Sequence, residues 1–324
     1  MSSQPIFLLS LPRAGSTLLQ RLLSQHSQVH TAPEPWVAIP LFRALKPDGV
    51  RATYGHRVMA HAITEFTRSL PNKEHDYHQA AAEFLHKLYA AAAPDDVKYF
   101  LDKTPRYHLV VADLVKAFPD AKFIYLWRNP IAVAASMIET WGQGKWNLYM
   151  FWVDLYEGIE SLVDSYRATS DRAIAVRYED LADSPERELS RILNYLELDE
   201  DHTMVEAFSR AKPMIAPKRG DPSGQLKYKG ISKGSMDSWK RVMGNPFRKH
   251  WSRSYLEWIG QQRLDTMGYD LHELIAEINE QPAGYSFLAS DVVRAALGRL
   301  YCKYALEDMR SNTPWRDRIY FTRN

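Results

Sequence analysis

The sequence has a single cysteine, Cys302, among its 324 residues. One thiol excludes an internal disulfide framework and any metal site built from several thiolates. Long hydrophobic runs are also missing, and since a membrane-spanning helix needs about 18 or more apolar residues in succession, we expect none. No Lys or Arg precedes Arg13, and the apolar stretch at residues 6–11 is too short for a signal-peptide core. These absences predict a cytoplasmic protein.

An excess of charge of one sign is absent too. The chain has 41 Lys and Arg against 39 Asp and Glu, a formal net charge of +2. Such a balance argues against a nucleic-acid partner and against a disordered polyelectrolyte, so any anion site must be local. The hydrophobic content of 45% is that of an average globular protein. The length fits about two domains, or one α/β domain with a helical subdomain.

A short apolar run followed by a helical pattern occurs four times. The predicted strands are residues 6–11, 97–101, 122–127 and 173–177, and the helices that follow them are residues 17–25, 109–118, 131–140 and 185–196. This alternation predicts an α/β fold with a doubly wound parallel sheet flanked by helices. The strands are continuously apolar, as expected when helices cover both faces.

Three other segments interrupt this pattern. Residues 51–93 and 145–170 have no strand signal and are interpreted as helical insertions. Residues 212–234 contain six Lys and Arg among several Pro and Gly. This long basic loop is either a lid that closes over a bound nucleotide or a solvated loop, and the sequence favours neither.

The segment from Pro12 to Leu18 lies where the first strand turns into a helix. Gly15 permits an unusual backbone angle, and free amides at a helix start attract anions. Ser16 and Thr17 add hydroxyl donors, and Arg13 adds a positively charged guanidinium group with several N–H donors. The pattern predicts a phosphate cradle, with a plain helix cap as the alternative. It lacks the Gly-Lys-Ser/Thr ending of a nucleoside-triphosphate loop, which disfavours ATP hydrolysis.

Four further residues are candidates for chemistry near this cradle. Glu34 stands between two prolines that hold the backbone extended, which suits a general base, although on its own a solvated loop charge is the favoured interpretation. Lys103 follows the second predicted strand, at the end where α/β folds bind ligands, although on its own an exposed loop lysine is favoured. Arg128 ends the third strand, and Ser136 lies eight residues on, so both could reach one phosphate.

At these residues the sequence resembles the sulfotransferase family that uses 3′-phosphoadenosine-5′-phosphosulfate (PAPS). Residues 12–19 resemble its 5′-phosphosulfate loop, Arg128 with Ser136 resembles its 3′-phosphate motif, and Tyr178-Glu-Asp-Leu181 resembles a segment after its fourth strand. The resemblance runs from about residue 6 to residue 270. It implies a P-loop-like fold, with PAPS as sulfuryl donor, adenosine 3′,5′-bisphosphate (PAP) as product, and no need for a metal.

The resemblance also implies roles for individual residues. The resemblance is to the tyrosylprotein sulfotransferase branch, and to bacterial relatives that act on small or carrier-bound hydroxyls, at three places: Glu34, Trp239 and residues 267–270. In that branch the glutamate is the base and the lysine assists the leaving group. Glu34, Lys103 and Arg13 are therefore the predicted catalytic residues. The implied cofactor-binding residues are Arg13, Ala14, Gly15, Ser16, Thr17, Leu18, Arg128, Ser136 and Tyr178. Other family members use a histidine base, but His108 lies beyond the corresponding motif.

Two departures bear on the acceptor. Thr140 stands where the tyrosylprotein branch has another phosphate-binding arginine, and the anchor and disulfides of its Golgi members are missing. Protein tyrosine is therefore disfavoured as the acceptor, and a small-molecule or carrier-bound hydroxyl is expected.

Two other functions are alternatives to a sulfotransferase: a nucleotide kinase on a related phosphate-loop fold, and an inactive binding module. The aromatic residues between 141 and 156 either belong to the core or line an apolar acceptor pocket.

The segment after residue 282 lies outside the resemblance. We divide the chain into a sulfotransferase domain, residues 1–282, and a C-terminal helical extension, residues 283–324. Apolar residues recur every four positions and predict one amphipathic helix over residues 287–306. The stripe consists of Leu288, Val292, Ala296, Leu300 and Tyr304, with Ala289, Val293, Leu297 and Tyr301 beside them. We expect it to pack on the protein itself, with a homodimer or an acceptor-bearing partner as the alternatives.

Overall fold

The structure is a computed structural model, and it describes residues 3–48, 50, 54–211 and 234–304. Its strands form one parallel sheet in the order β2-β3-β1-β4-β5. They are β1 (Gln4–Leu9), β2 (Val29–Thr31), β3 (Tyr99–Asp102), β4 (Lys122–Trp127) and β5 (Ala173–Arg177). The predicted parallel α/β sheet is confirmed.

The sequence pattern missed β2. This strand has three residues, Val29 to Thr31, and pairs with β3 at the edge of the sheet. Three residues are too few to show a period, and a histidine at the centre breaks the apolar run. The strand matters because it brings the chain to Glu34, three residues beyond its end.

Helices follow or connect the strands along the chain. They are α1 (Ser16–Leu23), α2 (Ala38–Arg43), α3 (His56–Arg68), α4 (Glu74–Ala92), α5 (Val111–Ala117), α6 (Pro130–Gly142), α7 (Gly158–Ala168), α8 (Tyr178–Asp183), α9 (Pro185–Tyr195), α10 (Met204–Arg210), α11 (Gly234–Val242), α12 (Pro246–Ile259), α13 (Gln261–Met267), α14 (Leu271–Glu280) and α15 (Leu288–Tyr304). Short 3₁₀ turns occupy Tyr107–Leu109 and Leu148–Phe151, and a π-helical turn occupies Val153–Glu157.

The helices cover both faces of the sheet. Alternate residues of β1 belong to different cores: Phe7 and Leu9 to one, Ile6 and Leu8 to the other. Helices α1, α8, α9 and α10 contribute to the second core, and α4 to α7 and α11 to α14 contribute to the first. Burial on both sides explains why β1 and β4 have apolar residues at successive positions.

The two insertions are helical, as predicted. The first contains α3 and α4, and the second contains the 3₁₀ and π turns followed by α7. The helix predicted over residues 109–118 is shorter: α5 covers Val111–Ala117 and is preceded by a separate 3₁₀ turn over Tyr107–Leu109. The basic loop lies outside the described residues, from residue 212 to residue 233. Within the described ranges, no helix combines the length and the apolar character needed to cross a bilayer.

The C-terminal helix forms, but the face it presents to the protein differs from the expected one. Val293 and Leu297 of the apolar stripe are 56% and 58% exposed, whereas Asp291 is fully buried. Asp291 pairs with Arg248 of α12. A Cβ at Gly298 would lie 2.3 Å from the Tyr149 ring, so the glycine permits close approach of the helix. A buried ion pair and a glycine, rather than the apolar stripe, therefore orient α15.

Candidate active site at the carboxyl ends of the strands

The loop between β1 and α1 has the backbone shape that the sequence suggested. Gly15 precedes the helix at a φ of 100°, and Arg13 has a φ of 71°. A Cβ at Gly15 would lie 2.3 Å from the ring of Tyr178, which is buried at the start of α8. Only glycine meets both the angle and the close contact. The loop therefore takes a glycine-dependent turn directly before α1, which is where an anion cradle is expected.

Two of the predicted cofactor-binding residues in this loop are core residues. Ala14 and Leu18 are buried, and Leu18 belongs to the core shared by α1 and α9. Their side chains are used in packing. Any contribution they make to anion binding must therefore come from the backbone amides.

The loop contacts the predicted 3′-phosphate motif directly. The Arg13 Nε donates to the Ser136 Oγ at 3.2 Å, and the Arg128 Nη1 donates to the Arg13 carbonyl at 3.0 Å. The Arg128 guanidinium lies 4.4 Å from the centre of the Tyr178 ring. These contacts bring two arginines and a serine hydroxyl together. The Arg13 side chain thus lies beside Ser136 of the predicted 3′-phosphate motif.

Glu34 and Lys103 form a close ion pair beside the same loop. The Lys103 Nζ lies 2.7 Å from the Glu34 Oε1 and 3.4 Å from the Thr17 Oγ1. The Lys103 side chain is 2% exposed and that of Glu34 is 11% exposed. Glu34 also accepts a hydrogen bond from the Trp36 Nε1 at 3.3 Å. A carboxylate, an ammonium group and a hydroxyl therefore meet at the start of α1.

A buried network behind Lys103 was not predicted from the sequence. Asp102, the last residue of β3, is fully buried and accepts hydrogen bonds from the hydroxyls of Tyr89 and Tyr107 at 2.6 and 2.7 Å. The Thr104 Oγ1 lies 3.4 Å from the other Asp102 oxygen and accepts from the Trp36 amide. The network thus links the residues on both sides of Lys103 to the turn that carries Glu34. The polar triplet Asp102-Lys103-Thr104 at a strand end was the available signal.

Burial raises the pKa of Asp102 to about 6, although the hydrogen bonds and the Lys103 charge act in the opposite direction. A carboxyl whose folded pKa is raised contributes stability that is present at low pH and is lost as the pH rises through that value. The shift from the ordinary 3.8 is equivalent to ~3 kcal/mol. Between about pH 4 and about pH 7, the unfolding free energy of the parent should therefore fall by ~3 kcal/mol more than that of the Asp102→Asn variant. Urea denaturation across this range measures the difference, and parallel pH profiles would contradict it.

His108 has a different set of contacts. It is buried, and its Nε2 lies 3.0 Å from the Asp154 Oδ1. The same carboxylate accepts from the Arg106 Nη2 at 2.9 Å. His108 therefore forms a buried pair with the insertion at its π-helical turn, whereas Glu34 pairs with Lys103, which in turn contacts Thr17 of the loop.

Comparison with known proteins identifies the class to which this fold and site belong. The model of the sulfotransferase family matches residues 5–202, and the chain belongs to this family. This confirms the resemblance to the sulfotransferase family that was seen in the sequence.

Particular relatives agree with the assignment. The chain is 28% identical over 256 residues to the nodulation protein NoeE of Sinorhizobium fredii, an alignment that covers 72% of the chain and 59% of NoeE. It is 25% identical to a putative protein-tyrosine sulfotransferase of Caenorhabditis briggsae, covering 62% of the chain and 68% of that protein. The sulfotransferase domain from the curacin biosynthetic pathway has the same fold, with a TM-score of 0.54, 21% identity and coverage of 80% of this chain and 98% of that one. The chain thus spans less than two thirds of NoeE.

Proposed function

We propose that the protein transfers a sulfuryl group from PAPS to a hydroxyl of a small-molecule or carrier-bound acceptor. The observation that carries this proposal is the contact of Lys103 with both Glu34 and Thr17. It joins a base, a cation and the anion cradle within hydrogen-bond distances. Such an arrangement suits group transfer between an activated hydroxyl and a phosphate leaving group.

The residues present fit the nucleotide donor. The positive φ at Gly15 and the close approach of the Tyr178 ring set the course of the loop into α1, and backbone amides at a helix start can bind a phosphate. Arg13 and Arg128 place two positive charges next to the Ser136 hydroxyl, which suits recognition of a second phosphate. We assign Arg128 and Ser136 to the 3′-phosphate, the loop from Arg13 to Leu18 to the 5′-phosphate, and Tyr178 to support of both.

Each catalytic residue has a defined task in this proposal. PAPS supplies the sulfuryl group, and its loss to the acceptor oxygen leaves PAP. Glu34 takes the proton of the acceptor hydroxyl on a carboxylate oxygen as that oxygen becomes the nucleophile. Lys103 lies between Glu34 and Thr17, so its ammonium group can donate to the oxygen on which negative charge develops. Arg13 adds positive charge on the side of Ser136.

The nucleotide preference separates this proposal from a kinase. We expect PAP to bind more tightly than ATP with magnesium in calorimetric titrations, because the loop has no lysine in the nucleoside-triphosphate position. Tighter binding of ATP would favour a kinase. Radiolabelled sulfuryl transfer from PAPS to pooled hydroxyl compounds, with a carrier-protein-bound hydroxyacyl group included, tests the acceptor class. Labelling of neither the hydroxyl compounds nor the carrier-bound group would contradict the proposed transfer.

We also propose that residues 1–282 form the catalytic unit and that residues 283–324 are an accessory extension. Within this extension α15 rests on the catalytic unit through Asp291. A homodimer or a bound acceptor carrier would use the exposed stripe that contains Val293 and Leu297. Sedimentation of the full chain, alone and with a carrier protein, distinguishes these two assemblies.

Replacing Arg128 by alanine is expected to weaken PAP binding about ten- to a hundredfold. The change removes a charge-assisted contact to the 3′-phosphate, so adenosine 5′-phosphosulfate, which has no 3′-phosphate, should lose little affinity. Calorimetry with both nucleotides measures the two effects. Arg210→Ala, at an exposed arginine paired with Glu206, is the matched control and should change neither. Equal losses for the two nucleotides would remove Arg128 from 3′-phosphate recognition.

A further inference from the structure

The peptide that follows Arg128 is held by two separate contacts. The Asn129 amide donates to the Glu179 Oε1 at 3.0 Å. The Asn129 side-chain oxygen accepts from the amides of Ile131 and Ala132 at 2.9 and 3.4 Å and caps α6. Asn129 is also buried, so its backbone amide and its side chain are both held in place. These contacts fix the direction of the chain after Arg128.

The second Glu179 oxygen is held by a residue distant in sequence. The Tyr269 hydroxyl donates to the Glu179 Oε2 at 2.6 Å. Burial and the nearby Glu179 charge raise the pKa of Tyr269 well above its ordinary value, so the hydroxyl keeps its proton. Gly268 precedes it at a φ of 83°, and a Cβ there would lie 2.9 Å from the Arg177 side chain. The turn after α13 is therefore shaped to bring Tyr269 against β5 and α8.

Tyr178 and Glu179 are successive residues, and both act around Arg128. Tyr178 lies under the Arg128 guanidinium, and Glu179 holds the peptide immediately after it. The first two residues of α8 thus contact both the side chain and the backbone of this region. Arg128 in turn donates to the Arg13 carbonyl in the loop, so a shift of its backbone would change the relation between the two halves of the nucleotide site.

We infer that Glu179 and Tyr269 are positioning residues for 3′-phosphate recognition. The Tyr269 hydroxyl fixes the Glu179 carboxylate, the carboxylate fixes the Asn129 amide, and this amide sets the direction from which Arg128 reaches the phosphate. The inference rests on the proposed function, because it assigns the 3′-phosphate to Arg128. It gives the segment around residue 269 a task in nucleotide selectivity although that segment lies at the far end of the catalytic unit.

The test compares nucleotides with and without the 3′-phosphate. Tyr269→Phe removes only the hydroxyl, and we expect it to weaken PAP binding about two- to tenfold while the affinity for adenosine 5′-monophosphate is unchanged. Glu179→Ala removes the whole link and should have a larger effect of the same kind. Glu179→Gln keeps one acceptor for the Asn129 amide and should restore part of the preference for PAP. Titration calorimetry of the full-length chain gives all the affinities.

Tyr255→Phe is the matched control, since the buried Tyr255 hydroxyl donates to the Leu155 carbonyl at 2.6 Å and not to Glu179. It should leave the ratio of PAP to 5′-monophosphate affinity unchanged. If the parent prefers PAP, two results would overturn the inference but leave the proposed function standing. The first is equal weakening of both nucleotides by Tyr269→Phe. The second is a ratio of PAP to 5′-monophosphate affinity that is unchanged in both Tyr269→Phe and Glu179→Ala. A parent that shows no preference for PAP would overturn both the inference and the proposed function.

Discussion

Turnover is expected to fall about 10²- to 10⁴-fold when Glu34 is replaced by glutamine, with PAP affinity nearly unchanged. The amide has almost the same shape and can still accept from the Lys103 Nζ, which lies 2.7 Å from the Glu34 Oε1. It cannot take the proton of an acceptor hydroxyl at neutral pH. The loss should therefore be confined to the transfer step. Single-turnover transfer of labelled sulfuryl, together with PAP titration, measures the two quantities separately.

Glu188→Gln provides a matched control for the loss of a buried, paired carboxylate. The Glu188 side chain on α9 is 7% exposed, and its Oε2 lies 2.7 Å from the Arg191 Nη2. This change should lower stability without a comparable loss of turnover. Melting curves of both variants separate misfolding from chemistry. Turnover of Glu34→Gln within about threefold of the parent would remove Glu34 from the mechanism.

Four of the five strands could be predicted because they are apolar at successive positions. The residues of the candidate site could be predicted because the carboxyl ends of parallel strands gather functional residues from distant parts of the chain. Lys103 follows β3, and Glu34 lies just beyond β2, so neighbouring strands bring them together. The pairing itself could not be read from the sequence, since 69 residues separate the two side chains and β2 has too few residues to recognise.

The buried polar contacts were beyond the reach of sequence periodicity. Tyr89 lies on α4, a helix of 19 residues, and nothing in its spacing shows that its hydroxyl meets Asp102. Tyr269 and Glu179 are 90 residues apart and belong to segments that the sequence connects only through resemblance. Hydrogen-bond partners depend on how elements dock in three dimensions, and this information is absent from a one-dimensional pattern.

The orientation of α15 also depends on a buried polar contact. Counting apolar residues at helical spacing selects the face with Val293 and Leu297, which the structure leaves exposed. The Asp291 carboxylate could be buried only opposite a cation, and Arg248 supplies it with hydrogen bonds of 2.7 and 3.1 Å. Leaving such a charge unpaired inside the protein costs more than exposing several apolar side chains. The ion pair therefore decides which face docks.

Replacing Asp291 by alanine is accordingly expected to destabilise the protein by about 3–5 kcal/mol. Arg248 is 3% exposed, so the change leaves a buried positive charge without its carboxylate. The amide of Trp146 and the side-chain amide of Asn245 also lose an acceptor, at 3.1 and 2.8 Å in the parent. The reduction in unfolding free energy should be visible in urea denaturation as a lower midpoint.

Val293→Ala on the same helix is the control, because a change at an exposed position should alter stability by no more than about 0.5 kcal/mol. The double change Asp291→Leu with Arg248→Met removes both charges together and should recover much of the stability lost in Asp291→Ala. If Asp291→Ala were as mild as Val293→Ala, the ion pair would not hold the helix. If the double change were no more stable than Asp291→Ala, lost packing rather than the unpaired charge would explain the destabilisation. Recovery in the double change together with a large single loss would show that the buried arginine, once unpaired, is the source of the instability.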